Sequence, residues 1–199
     1  IILLAAVLTF SRGAWLGMLL GLIFFFGMPV LQKIKNKKFK SLFASLFIIG
    51  FAASFFFIIK GSYTFGLVSQ NRVAQSDNIR KEIWATSLDI GSKHWLTGIG
   101  LGNFQNYFGQ LTKGRVNYPE YITPNAVTPH NVLLNIWLQL GLAGLVGFVG
   151  LAGLFFRECF VGLKNERLVN IILMAAMITI LGQGLVDSSI WKNDLIIVF

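Results

Sequence analysis

Three arginines and one histidine are the residues of this chain best suited to chemistry. Arg12 sits between two apolar segments, Arg72 and Arg80 occupy a long polar stretch, and His130 precedes another apolar run. The arginine fork binds oxyanions bidentately and stays charged at any physiological pH. Histidine can accept a proton from a hydroxyl near neutral pH. An arginine at a membrane boundary is costly unless it snorkels or is paired, so it is a functional candidate by default. Each residue also has a plainer role: Arg12 could anchor a helix end among lipid headgroups, and His130 could cap the helix starting at Val132. His94, beside Trp95, suits an interfacial position, and Asp187, Lys192 and Asp194 could be solvated helix ends. No Asp-x-Asp or histidine-rich cluster appears, so the expectation is no metal and no cofactor.

The elements holding these residues are membrane-spanning. Of 199 residues, 55% are hydrophobic and 13% charged, against about 25% charged in ordinary soluble domains. Mean hydropathy is +0.68. The apolar residues gather into runs near the ~20 residues that cross a bilayer: 13–31, ending after Pro29, then 41–59, 132–156 and 168–186. The second and third carry no charge and no sign of interruption. Segments 1–10 and 195–199 are too short to span and look like truncated spans, which points to a fragment of a longer protein. A net charge of +9 would suggest nucleic acid for a soluble protein. Here the lysines lie between apolar runs, so no nucleic acid is expected and membrane lipids are.

Residues 32–40 hold five lysines, and short basic loops stay cytoplasmic. Arg157, Lys164 and Arg167 mark a second cytoplasmic turn two crossings later. Arg12, the 61–131 loop and Asp187 to Asp194 then share the opposite face. A loop of about seventy residues implies a function. Within it, Ile79, Ile83, Trp84 and Leu88 recur at helical spacing, with Asp77 as N-cap and with Arg80 and Lys81 directed away from the apolar stripe. The 96–104 stretch has glycines but no preceding strand, so a tight turn fits better than a dinucleotide loop. The single Cys159 allows no internal disulfide and fits a packing or free-thiol role. Arginines and a histidine on one outer face suit a substrate with a lipid tail and a pyrophosphate head.

Motifs in order along the chain carry a resemblance. They are Leu8-Thr-Phe-Ser-Arg-Gly-Ala-Trp-Leu-Gly17, Arg80 with Trp84, Gly98-Ile-Gly-Leu-Gly-Asn-Phe104, and Pro129-His-Asn-Val-Leu-Leu-Asn-Ile-Trp-Leu-Gln-Leu-Gly-Leu-Ala-Gly144, with Lys192-Asn-Asp194 near the end. Together they resemble the O-antigen ligase-related family. The resemblance implies an all-α, polytopic, GT-C-like transmembrane helix bundle in the bacterial cytoplasmic membrane, with a large periplasmic or extracellular loop. It implies a metal-independent, inverting glycosyltransferase. The donor would be an undecaprenyl-pyrophosphate-linked glycan, and the acceptor a glycolipid such as lipid A-core or a growing polysaccharide. Polymerases and protein O-oligosaccharyltransferases belong to the same family. The resemblance makes His130 catalytic, as base or acceptor-orienting residue, and Arg12, with Arg80 helping, the ligand of the pyrophosphate; Arg72, from its place in the loop, is a further candidate for the pyrophosphate or glycan. A transporter or flippase would instead need mid-span charges or broken helices. A structural subunit would use the loop to dock a partner and tolerate substitution of these residues.

Overall fold

In the computed structural model, residues 11–36, 38, 45, 70–113, 126 and 128–186 are described. Every regular element among them is helical: α1 Arg12–Lys33, α2 Gln70–Lys93, α3 Phe104–Thr112, α4 Val132–Gly162 and α5 Arg167–Gly184. Three of these, α1 (from Gly13), α4 and α5, are long and apolar enough to cross a membrane. The fold is all-α, as the sequence predicts for a polytopic membrane protein. The expected 41–59 span, the end segments 1–10 and 195–199, and Asp187 to Asp194 lie outside the described residues.

The chain divides into two compact units, Ile1–Gln70 with Phe155–Gln183 and Asn71–Leu154 with Gly184–Phe199. In the first unit, Ser11 caps α1 by accepting from the Ala14 N–H at 3.3 Å. The helix runs through Pro29 to Lys33, whereas the sequence suggests an end just after that proline. Gly17 and Gly21, one turn apart, lie against α5 so closely that a Cβ on either would meet Thr179. Lipid tails are as apolar as leucine, so such close backbone approach is what holds membrane helices together. Lower down, Cys159, Ile171 and Met174 form a buried cluster with Phe24, Phe25, Met28 and Phe155. Cys159 therefore packs as a small hydrophobe.

The second unit has its own core. Ile83 and Ile90 of α2, Ile99, Phe104 and Phe108 of α3, Ala126 and Leu138 of α4 are all buried together. Phe104, Phe108 and Thr112 recur every four residues, which is the buried stripe of an amphipathic helix. Two expectations for α2 fail. It begins at Gln70, so Asp77 sits inside the helix and is not its cap. Leu88 is 54% exposed while Ser87 is fully buried. The core face runs through 83, 86, 87 and 90, and a small hydroxyl at 87 fits where helices approach closely.

The larger difference is in α4. At Gly141 the backbone takes φ 67° and ψ −167°, and the helix is broken there. That conformation is accessible essentially only to glycine. The carbonyls of Leu138 and Gln139 accept instead from Ile99 N–H at 2.7 Å and Gly100 N–H at 3.1 Å, and Leu142 N–H donates to the Trp95 carbonyl at 3.0 Å. The 132–156 run is thus interrupted, although its composition shows no sign of it.

Candidate functional site

The N-terminal end of α4 begins with a small set of directed contacts. Asn131 is the N-cap: its Oδ1 accepts from Leu134 N–H at 2.9 Å. Its Nδ2 donates to the Leu185 carbonyl at 2.9 Å. The capping role considered for His130 thus belongs to its neighbour. His130 itself is half-buried and has φ 52°, in the left-handed region that few non-glycine residues adopt. Strain of this kind, of order 1 kcal/mol, gathers where side chains must be aimed.

The backbone beside His130 is held by α2. Trp84 Nε1 donates to the Pro129 carbonyl at 2.8 Å, and Pro129 is buried. Arg80 lies four residues before Trp84, one turn of α2 and about 6 Å along its axis. Residues so spaced share a helix face. The Trp84 hydrogen bond therefore brings the face carrying Arg80 to the backbone that carries His130. Lys81 is exposed, as expected of a residue directed away from the apolar stripe, and Arg80 is half-buried. Sequence spacing paired Trp84 with the core and gave no hint of its hydrogen bond.

Behind this edge runs a buried polar ladder. Gln139 Nε2 donates to Asn135 Oδ1 at 2.7 Å, and Gly102 N–H donates to Gln139 Oε1 at 3.1 Å. The ladder ties the glycine turn to the broken helix. Gly98, Gly100 and Gly102 all have positive φ, so the tight turn expected of this stretch is there. Asn135 Nδ2 and Ser87 Oγ are buried without a hydrogen-bond partner among the described residues. His94 packs edge-on against Tyr107, with ring centroids 5.3 Å apart. The 129–144 motif contains Asn131, Asn135 and Gln139, but the sequence reading gave them no role, although polar residues beside and inside an apolar run are a signal that marks them.

Arg12 is the first residue of α1, in the other unit, and Arg72 lies in the first turn of α2. The side chains of both lie outside the described residues.

Comparison with known proteins fits these elements. The family model described as O-Antigen ligase matches residues 1–149, which takes in α1, the loop helices and the start of α4. The O-antigen ligase of Salmonella typhimurium (strain LT2) is 29% identical over 160 residues, covering 75% of this chain and 36% of that protein. The chain thus spans about a third of the length of that curated relative. No solved structure matches it. With the motif order, the helical membrane fold and a family match over most of its length, the chain belongs to the O-antigen ligase family.

Proposed function

We propose that this chain contributes the donor-binding edge of a glycosyltransferase. The enzyme moves a glycan from an undecaprenyl-pyrophosphate carrier to a glycolipid acceptor, lipid A-core or a growing polysaccharide, at the outer face of the cytoplasmic membrane. Family membership supports the class of reaction. The observation that supports the site is the Trp84–Pro129 hydrogen bond, which ties the helix face of Arg80 to the backbone of His130.

In this reading the acceptor hydroxyl attacks the anomeric carbon from the face opposite the pyrophosphate. The new glycosidic bond forms as the bond to the pyrophosphate oxygen breaks, and the configuration inverts. His130 takes the hydroxyl proton, and the bond electrons leave with the pyrophosphate. Arg80, joined by Arg12 and Arg72, offsets the negative charge that grows on the leaving oxygens. Such fixed electrostatic stabilisation is usually the largest catalytic contribution, about 10²- to 10³-fold per donor, and a positioned base adds about 10²- to 10⁴-fold.

The break in α4 does not favour a transporter. Discontinuous helices in transporters leave carbonyls free for ions, whereas Leu138 and Gln139 have theirs occupied by the glycine turn. The test is glycan transfer in membranes carrying His130→Ala or Arg12→Ala. Loss of at least about 100-fold with normal membrane insertion is expected; full activity in both variants would overturn the assignment.

A further inference from the structure

Three exposed apolar residues of the second unit share one turn. Trp95 is 53% exposed, Leu96 54% and Leu101 63%, and they flank the glycine turn that seals the break at Gly141. Gly98 and Gly141 touch: a Cβ on Gly98 would meet the Gly141 nitrogen, and one on Gly141 would meet Leu96. Trp137 Nε1 donates to the Trp95 carbonyl at 3.0 Å, so two indoles stand beside the same break.

The character of α4 changes at this point. Before it, Val132, Asn135, Ile136, Leu138 and Gln139 are buried; beyond it, Val146, Val149, Leu151 and Leu154 are 55–70% exposed. The break at Gly141 divides α4, and the run beyond it, 142–162, amounts to about 31 Å, close to the ~30 Å hydrocarbon core. That part of the helix can lie in lipid. Arg157, in an exposed ion pair with Glu158, marks the end that stays at the headgroups. Trp137 stands at the other end of that run, about one turn before Gly141.

We propose that the bilayer boundary falls at the Trp137–Gly141 break, and that the 95–101 turn is a membrane wedge. Leu96 and Leu101 enter the outer acyl boundary, and Trp95 and Trp137 sit in the headgroup belt where amphipathic indoles collect. The occupant of this apolar rim is lipid, because the Trp95 carbonyl holds Leu142, where the exposed apolar run of α4 through Val146 and Val149 begins. The 132–140 segment then stands outside the hydrocarbon. His130, which precedes that segment, then stands on the headgroup side of the boundary. The word outer rests on the topology of the proposed function; the depth of the wedge does not.

The test uses the full protein in lipid nanodiscs, with Cys159 and every other cysteine of the full protein replaced by Ala as background, and a single environment-sensitive fluorophore on a cysteine at position 96 or 101. Position 149 serves as a lipid reference and position 113 as a water reference. Labels at 96 and 101 should lose emission to a phospholipid spin-labelled near its headgroup, more than to one spin-labelled near the chain end. Iodide should quench them far less than the label at 113. Iodide quenching equal to that at 113, or protection from both kinds of quencher, overturns the wedge. Failure of the proposed transferase reading would appear separately, as retained activity in His130→Ala with the depth pattern intact.

Discussion

At the scale of single residues, His130 is in a conformation that glycine would adopt more easily. His130→Gly should fold at least as well as the parent, by up to about 1 kcal/mol of relieved strain, while glycan transfer is lost; thermal midpoints and transfer assays on the same preparations decide this. Trp84 separates packing from hydrogen bonding. Trp84→Phe keeps an aromatic ring but leaves the Pro129 carbonyl without its donor, costing about 1–3 kcal/mol if that group stays buried. Transfer should fall with it, because the backbone beside His130 is no longer held. Ser87 offers the reverse case: its hydroxyl is buried and has no partner among the described residues, so Ser87→Ala should be neutral or stabilising in a thermal melt. Arg80 and His130 are candidates on residue type and place in the chain. The contact of Trp84 with the backbone beside His130 was not legible, because a hydrogen bond to a residue 45 positions away leaves no periodic trace.

At the scale of elements, the break in α4 carries the main consequence. Gly141→Ala would force a side chain into a glycine-only conformation and against Leu96. It should lower stability by more than about 2 kcal/mol. Gly150→Ala, in the same helix with open space around it, should be tolerated, and thermal unfolding in detergent compares the two. Apolar composition made α1, α4 and α5 recognisable as helices able to cross a membrane. It hid the break, because hydropathy sums side chains while the break is a backbone event sealed by hydrogen bonds from residues forty positions away. The short α3 was missed for a different reason. Its stripe of Phe104, Phe108 and Thr112 is only three residues long, and its burial comes from α2 and α4.

At the scale of the whole molecule, the two units are held by different physics. The first relies on close backbone approach at Gly17 and Gly21, the second on a core of Ile83, Phe104, Phe108 and Leu138. Phe108→Ala should cost about 3–5 kcal/mol and open the 71–113 region to proteolysis, while the α1–α5 contact keeps its protection. Limited digestion followed by mass spectrometry distinguishes that outcome from general unfolding. The sequence by itself determined that this is a helical membrane protein of the O-antigen ligase family, because long apolar runs and ordered motifs are properties of the chain. Only the tertiary structure decided which residues share an edge and where α4 breaks. Those depend on side chains and carbonyls meeting across long separations, and no local pattern in the sequence records such meetings.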